Sequence, residues 1–285
     1  MKNIVVIYHG ECPDGFSAAW VAWKKFGDEA EYIPGHHGEV APEGLIGKEV
    51  YMLDFVYPVG EMYKIIKDNK KVIVIDHHKS AEESVKMAQE YIYEMNHSGA
   101  ALAWKYFFPD LAVPWLIQYV EDMDLWKLEL KDVFALAMIV NTVAKDFETW
   151  SKLARDFDDD SVRNQQIEQG KIMLKYENNL IDAIIDSNKE IVKFEGYEIY
   201  AVNAPHAFAS QMGNLLCKEK PPIAIVWQWS GSKMEISLRS DGSVDVSEIA
   251  KKFGGGGHKA AAGFKFDGGC DFPWKLLEQE RSHEK

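Results

Sequence analysis

Apolar positions fall into two kinds of run along the first third of this chain. Residues 5–8, 50–53 and 71–75 form short, nearly continuous apolar runs, the first and third rich in Val and Ile, bounded by polar turns. That is the pattern of strands buried on both faces of a parallel sheet. Between them, residues 16–26 and 60–69 place apolar side chains at three- and four-residue spacing, which predicts helices. From about residue 97 the pattern turns helical. Ser98 is placed to cap a helix over 100–108, and Pro114 to open another that runs through Tyr119 and Val120. Residues 147–190 alternate charged and apolar positions at helical spacing, interrupted at 156–160, and read as a connector. Strand-like runs return at 198–202, 223–229 and 234–238, with helices over 208–217 and 246–252. The expected organisation is α/β. A mostly parallel N-terminal sheet with helices on both faces occupies 1–146, a helical connector 147–190, and a smaller α/β domain 191–285.

The length of 285 residues allows two domains of ordinary size, about 150 residues each. With 47% hydrophobic and 27% charged residues, a disordered or fibrous chain is excluded. No run approaches the roughly 18 apolar residues that a membrane helix needs, and the N-terminus enters a strand-like run with no small-residue cleavage site. Three cysteines, Cys12, Cys217 and Cys270, build no disulfide framework. A cytoplasmic protein without a membrane partner is expected. The net charge of −13 argues against a broad footprint on duplex nucleic acid. The charge is also unevenly spread: residues 1–190 carry 20 basic and 33 acidic groups, 20 − 33 = −13, while 191–285 carry 12 of each. A solvated acidic surface accounts for most of that excess, and the rest hints at carboxylates gathered for cations.

The chemistry-bearing residues gather where the three buried runs end. The first ends in Tyr8-His9-Gly10-Glu11-Cys12-Pro13-Asp14-Gly15, the second in Leu53-Asp54, and the third in Ile75-Asp76-His77-His78. Ligand sites in open parallel sheets form beyond the carboxyl ends of the strands. Strands sharing one edge would therefore bring His9, Asp14, Asp54, Asp76, His77 and His78 together. A lone Asp ending a strand is more often a turn-former; three successive strands with this chemistry favour a site. Isolated carboxylates there are costly unless paired or metal-bound, and mixed carboxylate and imidazole ligands suit Mn²⁺, with Zn²⁺ and Fe²⁺ as alternatives. Asp122 and Asp124, ending an apolar helix, are candidates for a further ligand.

A second motif stands near the C-terminus. Gly254-Gly255-Gly256-Gly257 leave backbone N–H groups unshielded and permit positive φ, which suits an anion-binding nest. His258 and Lys259 follow, then Ala260–Ala262, expected to start a helix whose N-terminal dipole favours phosphate. Arg239, one of only four arginines, ends the preceding strand and has the fork geometry to grip a phosphate. The stretch is neither a Walker A loop nor a dinucleotide fingerprint.

Asp76-His77-His78 after the apolar run resembles the motif that names the DHH phosphoesterases. Arg239 and the segment from Gly254 to Phe264 resemble the DHHA1 domain that accompanies it, so the resemblance extends from His9 to Phe264. It implies metal ligation by His9, Asp14, Asp54, His77 and Asp122, with Asp76 a ligand or an orienter of an imidazole and His78 beside the substrate phosphate. Arg239, Gly255, Gly256, Gly257, His258 and Lys259 would bind substrate. In one respect the chain departs from the family, which usually carries two carboxylates two residues apart in the first motif. Here Cys12 stands at that spacing before Asp14, and a thiol is a poor Mn²⁺ ligand. An asymmetric pair of metal positions, or one metal held loosely, is the expected consequence.

The function expected from these readings is a Mn²⁺-dependent phosphoesterase, with one or two ions and Mg²⁺, Co²⁺ or Zn²⁺ as substitutes. Its substrate would be a short single-stranded oligonucleotide, in the manner of a nanoRNase or exonuclease. The alternatives are hydrolysis of a small nucleotide (3′-phosphoadenosine 5′-phosphate or a cyclic dinucleotide) or of polyphosphate and, outside enzymes, a silent nucleotide-binding module. A homodimer is compatible with all of them.

Overall fold

The structure is a computed structural model that describes the chain apart from residues 1, 11, 37, 268, 270 and 278–285. Glu11, Cys270 and Arg281 therefore lie outside the described residues. The chain divides into two compact units, Met1–Lys175 and Tyr176–Lys285.

In chain order the first unit contains β1 (Ile4–His9), α1 (Pro13–Phe26), β2 (Ala30–Gly35), β3 (Glu49–Leu53), α2 (Val59–Asp68), β4 (Lys71–Asp76), α3 (Glu82–Val85), β5 (Glu90–Tyr93), α4 (Gly99–Phe107), α5 (Trp115–Asp124), α6 (Val133–Thr142) and α7 (Phe147–Asp158). The long α8 (Asp160–Asn188) continues past the division. Its five strands are all parallel in the order β2-β1-β3-β4-β5.

Strand periodicity sorts the core into two layers. Val6, Tyr8, Tyr51, Leu53, Ile73 and Ile75 face the helical layer that holds Trp20, Leu102 and Ile117. Val5, Ile7, Val50, Met52, Val72 and Val74 face Met62, Ile65 and Val85 of α2 and α3. Covering on both faces is what the uninterrupted apolar runs predict. The two outer strands escape the apolar pattern: β2 reads Ala-Glu-Tyr-Ile-Pro-Gly and β5 only Glu-Tyr-Ile-Tyr. Each has one sheet neighbour, and Pro34 is tolerated because an edge strand needs fewer ladder donors.

Helix α1 begins at Pro13, three residues before the apolar periodicity starts. Pro13 fits the first helical position, and the Cys12 sulfur accepts the Gly15 N–H at 3.2 Å. Asp14 consequently sits in a first helical turn rather than in a loop.

The second unit contains β6 (Lys189–Phe194), β7 (Tyr197–Asn203), α9 (Ala209–Glu219), β8 (Ile223–Ser230), β9 (Lys233–Ser240), α10 (Val246–Lys252), β10 (Gly256–Gly257), β11 (Ala261–Phe266) and β12 (Lys275–Leu276). Its sheet runs β10-β11-β9-β8-β7-β6-β12, with β7 and β8 the one parallel pair among the described residues. The helix expected to start at Ala260 is a strand instead. Residues 261–266 pair antiparallel with Arg239–Met234, and a strand satisfies those backbone groups from a neighbour that no local window reveals. Among the described residues no helix is long and apolar enough to cross a membrane.

Candidate metal centre

Because β1, β3 and β4 are sheet neighbours and parallel, their carboxyl ends meet at one edge. His9 ends β1, Asp54 follows β3, and Asp76 ends β4 with His77 and His78 after it. Asp14 arrives from the first turn of α1 and Asp124 from the last residue of α5. The side chains of Asp14, Asp54 and His77 are at most 1% exposed.

Asp54 lies between two groups of donors. Its Oδ2 is 3.5 Å from His9 Nδ1 and 3.4 Å from the Cys12 sulfur, while its Oδ1 is 3.1 Å from His77 Nε2. The same His77 nitrogen lies 3.5 Å from Asp124 Oδ2 and 3.8 Å from Asp14 Oδ2. His9, Cys12 and Asp54 thus form one set of metal-spaced donors, and Asp14, His77 and Asp124 another. Asp54 reaches this position with φ of 55°, a left-handed conformation that Asp tolerates better than most residues and that clusters at functional sites.

Backbone geometry holds the set in place. Asp14 accepts the N–H groups of Gly99 (2.7 Å) and Ala100 (3.1 Å) at the start of α4, so the helix dipole steadies its charge. A Cβ on Gly99 would stand 2.5 Å from Asp54 Cβ, and one on Gly15 would stand 2.2 Å from the His9 carbonyl oxygen. Only glycine lets these segments approach. Asp76 Oδ1 accepts the N–H groups of His77 (2.6 Å) and His78 (2.9 Å) and lies 2.8 Å from His78 Nδ1. It orients both histidines.

The electrostatics are those of a site short of positive charge. Burial, then the charges of Asp54 and Asp124, push the Asp14 carboxyl well above the usual range. Burial also opposes the Asp54 carboxylate, but bonds from His77 and His9 outweigh it and hold Asp54 well below that range. Burial works against the His77 and His78 cations too. It is overcome for His77 by Asp54 and Asp124, and for His78 by Asp76, so their pKa values stand at about 10 and about 9. Buried carboxylates that force neighbouring imidazoles to keep protons form a pocket in which a divalent cation would replace those protons. Oxygen and nitrogen donors of this kind fit such an ion.

Asp122, expected as a ligand, does not join the cluster. Its two oxygens accept the N–H groups of Glu129 and Leu130, both at 3.0 Å, and tie down the loop after α5. Two positions along a helix turn a side chain about 200° around the axis, so Asp124 faces the site and Asp122 faces away. Sequence offered both residues and no means of choosing. It noted Cys12 two residues before Asp14 but set its thiol apart as a poor Mn²⁺ ligand.

The second unit places its motif residues as follows. Arg239 lies in β9, half-buried, with Nη2 donating to Ser210 Oγ and Nη1 to the Leu238 carbonyl, both at 2.9 Å. Burial lowers its pKa to about 10. Gly256 and Gly257 pair with Gly263 and Ala262, and His258 and Ala261 close the turn between the strands through their backbones. A Cβ on Gly255 would meet the Gly263 carbonyl oxygen at 2.1 Å, and Gly257 has φ of 136°. The glycines therefore build a tight hairpin carrying His258 and Lys259 at its turn; the helix dipole expected there is absent.

Residues 199–278 match the DHHA1 domain. Over 293 aligned residues the chain is 31% identical to the uncharacterized protein R106 of Acanthamoeba polyphaga mimivirus, covering 93% of this chain and 68% of that protein. It is 30% identical over 217 residues to oligoribonuclease NrnB of Bacillus subtilis (strain 168), covering 68% of this chain and 52% of that one. The chain belongs to the DHH/DHHA1 phosphoesterases. It spans about half the length of NrnB. The DHH fold itself recurs in a solved DHH domain described as a member of the s1p family of ribosomal proteins, with a TM-score of 0.62, 12% identity, and 94% and 83% of the two chains covered. Exonuclease RecJ bound to manganese matches with a TM-score of 0.50, 13% identity, and 93% and 86% covered. In this DHH/DHHA1 chain the tripeptide Asp76-His77-His78 supplies one imidazole to the second donor set and, through Asp76, the scaffold for both.

Proposed function

We propose that the protein is a Mn²⁺-dependent phosphodiesterase acting on short single-stranded oligonucleotides. The observation that carries this is the buried edge where Asp54 links two sets of donors, in a family of phosphoesterases whose relative in Bacillus subtilis is named an oligoribonuclease. His9, Asp14, Asp54, His77 and Asp124 would hold the ions. Bound there, divalent cations would acidify a water towards neutrality and offset charge on the phosphoryl oxygens. Asp54, a member of the first donor set whose Oδ1 lies 3.1 Å from His77 Nε2 of the second, would fix their spacing. Asp76 keeps His78 protonated and oriented at neutral pH, so that the imidazolium donates to a non-bridging oxygen as negative charge grows there. Substrate binding is assigned to Arg239, the hairpin Gly255, Gly256 and Gly257, and the turn residues His258 and Lys259. Arg239, anchored by Ser210, loses little side-chain freedom on gripping a phosphate.

The test is hydrolysis by chelator-stripped and Mn²⁺-reloaded protein. The substrates are a dinucleotide, longer oligonucleotides, a cyclic dinucleotide, 3′-phosphoadenosine 5′-phosphate and polyphosphate. Turnover lost on chelation, restored best by Mn²⁺ and fastest on the shortest oligonucleotides is expected. Preference for a monoester or for polyphosphate would transfer the assignment to that substrate class. Binding without turnover of any would make the chain a nucleotide-binding module.

A further inference from the structure

Cys12 is the one donor at this edge whose chemistry does not match its neighbours. Its sulfur lies 3.1 Å from His9 Nδ1 and 3.4 Å from Asp54 Oδ2, and those two atoms are 3.5 Å apart. Zinc bonds of about 2.3 Å to sulfur and about 2.0–2.2 Å to nitrogen and oxygen give donor-to-donor edges of roughly 3.3–3.6 Å in a tetrahedral site. Two edges of the observed triangle, 3.4 and 3.5 Å, have the dimensions of one face of such a site, and the third, from sulfur to His9 Nδ1, is shorter at 3.1 Å. One corner of it is the nearly fully buried Asp54 carboxylate. The donor set is soft on one side only: sulfur, nitrogen and oxygen here, against two oxygens and a nitrogen at Asp14, His77 and Asp124.

We propose that Cys12 is a metal ligand and that the centre is heterobinuclear. The His9–Cys12–Asp54 position takes zinc or another thiophilic divalent ion, and the Asp14–His77–Asp124 position takes Mn²⁺. This rests on the metal-dependent reading above and refines it. Thiolate ligands select zinc over manganese, whereas carboxylate and imidazole accept either. The thiol is also pre-positioned. Cys12 caps α1, and its sulfur already accepts a backbone N–H of the first turn. Because Ser and Asp are good residues at a helix cap, Cys12→Ser and Cys12→Asp keep α1 intact, so their effects on metal are separable from misfolding.

The test is cobalt substitution of the full chain. Stripped protein is loaded with Co²⁺ and scanned for the near-ultraviolet sulfur-to-cobalt charge-transfer band, with bound metal measured by elemental analysis. Wild type is expected to show the band. Cys12→Ser and Cys12→Asp are expected to lose it while circular dichroism stays unchanged, and Cys217→Ser and Cys270→Ser to retain it. Competition between Zn²⁺ and Mn²⁺ should move towards Mn²⁺ in Cys12→Asp by at least about tenfold, the lower end of what altering even a supporting partner of a metal ligand costs. Cobalt uptake without the band in wild type, or a band that survives Cys12→Ser, overturns thiolate ligation and leaves the metal-dependent phosphodiesterase standing. Failure to bind any divalent ion overturns both. A Cys12-dependent band in a protein that hydrolyses no phosphate ester overturns the proposed function and leaves the ligation intact.

Discussion

Asp54 carries one oxygen to each donor set, and His77 is the imidazole on which three carboxylates converge. Asp54→Ala or His77→Ala should therefore lower kcat/KM by at least about 10²–10³-fold, the scale of losing one fixed electrostatic contact to a transition state, with the fold retained by circular dichroism. Asp122 and Asp124 provide a sharper contrast. Asp122→Ala removes two hydrogen bonds from the loop after α5 and should cost about 1–3 kcal/mol. Thermal unfolding would read this as a lower Tm with metal stoichiometry unchanged. Asp124→Asn should do the reverse: activity and one metal lost, and a metal-free Tm maintained or raised, because burial and the Asp54 charge work against that carboxylate. The imidazoles also set a pH dependence for the metal-free protein. His77 and His78 have folded pKa values of about 10 and about 9 against 6.5 when unfolded. Their contribution is fully present below pH 6.5 and is lost as pH rises through 9 to 10. The Tm of chelated protein should fall between pH 7 and 10. A flat profile there would show that the carboxylates do not hold those protons.

At the scale of elements, the site depends on close approach of α1 and α4 to the strand ends. Gly15→Ala drives a methyl into the His9 carbonyl and Gly99→Ala drives one into Asp54, so each should lower both Tm and activity. Gly60→Ala in α2 meets nothing within 4 Å and should stabilise by about 0.4–1 kcal/mol through the unfolded chain. Differential scanning calorimetry of the three variants measures this directly. The inner strands β1, β3 and β4 were legible because they are buried on both faces and so nearly continuously apolar. The edge strands β2 and β5 were not, since one covered side imposes too weak a pattern. Strand β11 was misread as a helix start because alanine and glycine are compatible with either conformation, and the pairing with β9 decides.

For the whole molecule, charge distribution sets the expected substrate length. Residues 1–190 are net −13 and residues 191–285 neutral, so the cationic contacts proposed for substrate are local: bound metals, Arg239, His258 and Lys259. They can hold few phosphates, and few released counterions mean a shallow salt dependence. We expect kcat/KM to peak on oligonucleotides of roughly two to five residues, because a longer strand is held by a basic groove with stacking aromatics, and neither the acidic first 190 residues nor the neutral remainder supplies net positive charge for one. A steady rise towards twenty nucleotides with a steep salt slope would reject this. What the sequence by itself determined is whatever depends on neighbours in the chain: inner strands, most helices, the charge split, the Asp76-His77-His78 end of a strand and the glycine-rich segment. Only the tertiary structure decided that Asp124 rather than Asp122 faces the site, that the Cys12 sulfur meets His9 and Asp54, and that residues 261–266 extend a sheet. Each of these turns on helix phase or strand pairing between segments far apart in the chain, whose free energy belongs to the pair and is written in neither segment alone.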